Sequence, residues 1–104
     1  MAIEELMLDA GLFLEQDEPM SELDYYLSVQ RAINAGMWSL QGSYGRAMMD
    51  AIRSGRCLLG PNAARDYYGN VIPSRDDVKE GTMGSISFVE AAMGGDWLFE
   101  MEGA

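Results

Sequence analysis

The sequence predicts a mainly α fold, with three amphipathic helices in residues 2–54. Shorter helices, with room for a small β-hairpin, complete a single compact domain over residues 1–104. Three observations predict this. Apolar residues recur at three- and four-residue spacing through the first half. Ser21 and Ser74 each stand three residues before an acid, the pattern of a helix start. An apolar share of 48% over 104 residues supplies one modest core and leaves no room for two.

Taken in order, Ala2–Glu15 carries Ile3, Leu6, Met7, Ala10, Phe13 and Leu14 on one helical stripe. Its acids occupy the other face and the first turn, where they suit the helix dipole. Pro19 breaks it, because proline lacks the donor that a helix interior uses. Ser21 caps a second helix that carries Leu23, Tyr26, Leu27, Gln30 and Ile33, and Asn34-Ala35-Gly36 ends it. A third helix is predicted from about Ser43 to Ser54, with Tyr44, Ala47, Met48, Ala51 and Ile52 inward and Gly55 as its stop.

The second half gives weaker signals. Arg56-Cys57-Leu58-Leu59, closed by Gly60-Pro61, reads as strand or loop. Asn62–Tyr68 reads as two helical turns ended by Gly69-Asn70, and Ser85–Met93 as a final helix, although Ile86 and Phe88 also alternate like a strand. Trp97, Phe99 and Met101 alternate like a strand that could pair with Cys57–Leu59. Periodicity cannot separate helix from strand in pieces this short.

What is missing narrows the chemistry. There is no histidine, and Cys57 is the only cysteine. The chain can therefore form no internal disulfide, no common zinc site and no Ser-His-Asp or Cys-His device. A reducing cytoplasm is the expected setting. The acidic start predicts no secretory leader, and no apolar run approaches the roughly 20 residues that span a bilayer. The acids around Pro19 lack the alternation and central glycine of a calcium loop. We expect a non-enzymatic protein with no cofactor, no metal and no membrane contact.

Charge is segregated along a chain of net charge −10. Residues 1–30 carry −8 with no base, residues 31–79 carry +3, and residues 80–104 carry −5 with no base. Two arrangements compete. The acidic ends fold back on the central arginines, or they leave a negative surface that meets a basic partner. Neither favours direct nucleic-acid binding, which needs a basic footprint.

The residues put forward for partner contact are Glu15, Asp17, Glu18, Glu22 and Asp24 around Pro19, with Tyr67 and Tyr68. The carboxylates would compete with phosphates for a partner's arginines and lysines. The tyrosines suit either a binding surface or the rim of a small core. Gly42-Ser43-Tyr44-Gly45-Arg46 opens a helix with donors that could hold an anion, although close helix packing explains the glycines adequately. Nine methionines suit core filling or a pliable interface.

With Glu4, Glu5, Asp9 and the Glu15–Asp24 cluster all before its first base, the chain resembles acidic accessory proteins of bacteriophages and plasmids. Anti-CRISPR and antirestriction proteins are similar in size, helical content and negative charge, and they bind host nucleic-acid machinery. The resemblance is one of size and composition, so it assigns no role to individual residues. The basic middle sets this chain apart from proteins that imitate DNA along their whole length. The resemblance implies a phage-type inhibitor that docks on a basic nucleic-acid-binding host protein. The alternative expectation is a small structural or assembly subunit, with a homo-oligomer as its simplest form.

Overall fold

The computed structural model describes residues 21–39 and 42–104. The helix predicted over Ala2–Glu15 and the break at Pro19 lie outside the described residues. Within them the chain is mainly α, with four α-helices, one 3-10 turn and a two-stranded hairpin.

Helix α1 (Glu22–Asn34) starts as its sequence predicts. Ser21 is extended, and its hydroxyl accepts the Asp24 N–H at 3.0 Å. That satisfies one donor of the first turn. Val29, Ala32 and Ile33 face the core. Gly36, at φ +72°, lets the chain leave the helix. The 3-10 turn Met37–Ser39 then drives Met37 and Trp38 inward.

Helix α2 (Gly42–Arg53) buries Met48, Ala51 and Ile52, the predicted stripe. Met48 is core filling. At its end the Ala51 carbonyl accepts from both Arg56 and Cys57 N–H, which folds the chain back beneath the helix. Gly55 makes that bend at φ +79°, packed against Ala92.

The next segment, Arg56–Gly60, is neither helix nor strand, and its buried backbone is paired by other means. Gln30, wholly buried, accepts from Leu58 N–H at 2.7 Å and donates to the Leu58 carbonyl at 3.0 Å. Its amide thus does the work of a neighbouring strand. Leu59 N–H donates to the Gly84 carbonyl. The Arg75 guanidinium donates to the Leu59 carbonyl at 2.8 Å and to Asn34 Oδ1 at 3.0 Å. Asn34 in turn donates to the Ala104 carbonyl. One polar network therefore ties α1, the central segment, Arg75 and the end of the described chain.

Cys57 lies within this buried segment, and burial pushes its thiol up to about 12 from an ordinary 9.0. The folded chain keeps the proton where the unfolded chain loses it. Stability is therefore complete below pH about 9 and falls as pH climbs toward 12, by on the order of 4 kcal/mol from this group. Burial also raises the Tyr25 and Tyr26 hydroxyls, which adds to the alkaline loss. Urea denaturation between pH 8 and roughly 11 should show the decline, and Cys57→Ala should flatten it. An equally steep decline in the variant would contradict this account. Thiol reagents should modify Cys57 only after unfolding.

Asn62–Tyr68 is not helical, contrary to the spacing. Strands β1 (Ala64–Arg65) and β2 (Val71–Ile72) pair antiparallel, Ala64 opposite Ile72 and Arg65 opposite Val71. Asp66 decides this. Its carboxylate accepts from the N–H groups of Tyr68 and Asn70, both at 2.9 Å, a local bond that competes with helix formation. Gly69 closes the turn at φ +83°. The hairpin expected in the second half is thus present, between segments other than those expected.

Ser74 and Asp77 make a reciprocal turn rather than a helix start. Asp77 Oδ2 accepts from Ser74 N–H, and Asp77 N–H donates to the Ser74 carbonyl. Helix α3 (Ile86–Met93) matches its prediction, with the Ser85 hydroxyl accepting from Phe88 N–H. It is not the last helix. Gly94, at φ +91°, reverses the chain into α4 (Gly95–Glu102), which replaces the expected strand. Leu98 and Met101, three apart, face the core, and Trp97 Nε1 donates to the Arg56 carbonyl at 2.8 Å. That inward set fits a helix better than the alternation of Trp97, Phe99 and Met101 fits a strand.

Candidate interaction surfaces

Among the described residues the two charge arrangements each account for part of the charge. Of the acidic cluster around Pro19, Glu15, Asp17 and Glu18 lie outside the described residues. Glu22 accepts from Arg56 Nε at 3.0 Å, with both side chains partly exposed. This bond is the largest cause holding the Arg56 guanidinium above its ordinary pKa. Arg56 also lies 5.6 Å from the Tyr26 ring centroid. Glu22 is therefore compensated by a central arginine, as the fold-back arrangement expects. Asp24 is exposed in the first turn of α1. An exposed pair of this kind contributes roughly 0–1 kcal/mol. It matters here for where charge is left over.

Charge is left over at the other end. Residues 76–102 carry seven acids (Asp76, Asp77, Glu80, Glu90, Asp96, Glu100 and Glu102) and one base, Lys79. All seven acids are exposed. The ion pairs formed between described residues are Arg56–Glu22 and Arg53–Asp50, and none of the seven is in either. Two guanidiniums approach this region. Arg75 feels the charges of Asp76 and Glu102, although burial is the larger influence and lowers its pKa. Arg31 lines a shallow depression with Glu100 and Glu102. Seven carboxylates against these cations leave this stretch net negative, with Asp76, Glu80 and Glu90 around one depression and Glu100 and Glu102 beside another.

Phe99 stands beside the acids of α4, 77% exposed, with Asp96 one turn before it and Glu100 next to it. Its exposure was not legible while the tail read as a strand. The inward set Trp97, Leu98 and Met101 was the available signal, since it leaves Asp96, Phe99 and Glu100 on the outer face of a helix.

Tyr67 and Tyr68 form a second exposed aromatic surface, at 64% and 84%. They do not cover the core. The turn beneath them is held firmly: Asp66 accepts the bonds already described and one from Asn70 Nδ2, and Arg65 donates to the Gly69 carbonyl at 2.8 Å. Desolvation is the largest single influence on Asp66 and acts to raise its pKa, but the hydrogen bonds from Asn70, Tyr68 and Gly69 together outweigh it and hold the carboxyl below its usual value. The two rings meet edge to face, 5.3 Å apart.

Between this turn and α2 lies an open groove of about 350 Å³. Trp38, Met49 and Ile72 line it together with both tyrosines, and Arg46 and Arg53 stand on its α2 side. Arg46 belongs to the glycine-bracketed segment considered above for an anion. Gly45 has nothing within 4 Å of where a Cβ would be, so close packing does not explain that glycine. Among the described residues no group of three or more Cys, Asp or Glu side chains is placed to hold a metal ion. No helix among them is long and apolar enough to cross a membrane. No family model, curated protein or solved structure matches the chain.

Proposed function

We propose that this protein is a non-enzymatic interaction module whose acidic C-terminal surface docks on the basic surface of another protein. A nucleic-acid-binding partner of the kind targeted by phage-type inhibitors fits that chemistry, because a surface built to neutralise phosphates accepts carboxylates too. The observation that carries the reading is the set of seven exposed acids over residues 76–102, none in an ion pair between described residues. Phe99 adds the apolar anchor that charge alone does not supply. Aromatic residues carry much of the energy of interfaces, while charges at the rim set encounter rate and specificity.

This reading places the docking surface on residues 76–102 and excludes Glu22 from it, because Glu22 already has Arg56 as its partner. Immobilised full-length protein should capture a basic protein from a bacterial lysate at low salt and release it as salt rises. Screening confines exposed charges to within about 8 Å at physiological ionic strength. Capture that is indifferent to salt, or that selects no basic protein, would remove the support for this function.

A further inference from the structure

We infer that the tyrosine-lined groove beside α2 is the receptor for the α4 face of a second copy of this chain, with Phe99 as the inserted side chain. Phe99 is the large apolar residue that α4 turns outward, while Leu98 and Met101 are buried. The groove offers an apolar floor of Trp38, Met49 and Ile72 beneath the Tyr67 and Tyr68 rings. Its volume of about 350 Å³ suits one aromatic side chain with part of its helical turn. Tyrosine, tryptophan, methionine and arginine are the residues enriched at interface centres.

Charge sets the orientation. Asp96 and Glu100 flank Phe99, and Arg46 and Arg53 flank the groove. Two acids, Asp50 and Asp66, also line the groove; Asp50 offsets Arg53 and Asp66 keeps its charge within its own turn, so the pairing across the contact falls to Arg46. Asp66 accepts hydrogen bonds from its own turn, and Asp50 lies 3.9 Å from Arg53. Arg46 is in neither of the ion pairs formed between described residues. The turn carrying the tyrosines is already ordered, so little freedom is lost when the groove fills.

One chain cannot satisfy itself in this way. The helix α4 packs on α1 and α3, whereas β1 packs on the 3-10 turn. The knob of one copy therefore reaches the groove of another, either reciprocally in a two-fold pair or head to tail from copy to copy. The inference uses the α4 surface of the proposed function but needs no foreign partner. It is read on purified protein, so either can fail while the other stands.

Analytical ultracentrifugation of the full chain at 0.15 M salt or above, where the repulsion of net charge −10 is screened, tests it. The wild type should gain mass with concentration. Phe99→Ala, which lacks the knob, and Tyr67→Ala/Tyr68→Ala, which lacks the groove walls, should each remain monomeric. Mixed together they should form a one-to-one dimer and stop there, because the pair retains one intact knob and one intact groove. Both sites are exposed, and formation of the mixed dimer itself shows that both variants are folded. A wild type that stays monomeric up to about 1 mM, where even a contact worth only about 4 kcal/mol becomes populated, overturns the proposal. So does self-association that survives either variant, or a mixture that fails to pair.

Discussion

Replacing Gln30 with leucine should lower the unfolding free energy by about 3–5 kcal/mol, although the two side chains are similar in size. The loss comes from Leu58, whose N–H and carbonyl both bond to the Gln30 amide in a fully buried place. Leucine leaves both groups without partners, and each buried polar group left unpaired costs roughly 1–3 kcal/mol. For a domain of this size the midpoint of thermal unfolding should fall by roughly 15–30 °C. Gln30→Glu separates the two bonds. Its oxygens still accept from Leu58 N–H, but an ionised carboxylate opposes the Leu58 carbonyl. Its folded-state pKa should be raised, so stability is present below the ordinary glutamate range and lost as pH rises. Urea denaturation at pH 4 and pH 7 reads the difference. A leucine variant as stable as the wild type would mean that the central segment is not held by Gln30.

The second large effect is expected at Gly55, where alanine should cost about 2–5 kcal/mol. Two causes combine there. The backbone sits at φ +79°, which L-residues adopt at a cost of roughly 1–2 kcal/mol. A Cβ would also lie 2.5 Å from Ala92 Cβ, and relieving that overlap means moving α3 against α2, a further 1–3 kcal/mol or so. Gly69 isolates the first cause, since its φ is +83° with nothing within 4 Å. Gly69→Ala should therefore cost only about 1–2 kcal/mol. Adding Ala92→Gly to Gly55→Ala should recover the packing part and leave the backbone part, a coupling that chemical denaturation measures directly. Equal costs at Gly55 and Gly69 would show that the contact between α2 and α3 is slack.

These two residues mark where the sequence was readable and where it was not. Several signals confined to one turn were legible, although the Ser74–Asp77 pattern and the Asp66 turn were not. The Ser21 cap, the inner stripe of α2 and the glycine stops at Gly36 and Gly55 all operate within a few residues. The central segment was not, because Cys57–Leu59 is paired by a side chain 28 positions earlier and by Gly84. Nothing in its own apolar run announces either partner. At Asn62–Tyr68 helical spacing was outweighed by one carboxylate that captured two backbone donors of its own turn. In α4 the alternation of three large residues concealed an inward pair three apart.

The surfaces follow the same division. That Tyr67 and Tyr68 were candidates was legible from residue type, but their exposure depends on the Asp66 turn. The segregation of charge was plain in the sequence, yet its consequence was not. Pairing of Glu22 with Arg56 joins residues 34 apart. It takes Glu22 out of the surplus, whereas Asp24 and the seven acids of residues 76–102 are in neither ion pair formed between described residues. Glu15, Asp17 and Glu18 remain candidates by sequence alone.

Location of the working surface is therefore what most needs measurement. Two variants of equal net charge, Asp96→Lys/Glu100→Lys and Asp24→Lys/Asp50→Lys, can be titrated with a deca-arginine peptide over a series of salt concentrations. Reversal on α4 should weaken binding roughly tenfold or more, whereas reversal on α1 and α2 should change it by less than about threefold. Equal weakening by both variants, or a larger effect from the pair on α1 and α2, would contradict a docking surface at the C-terminal face.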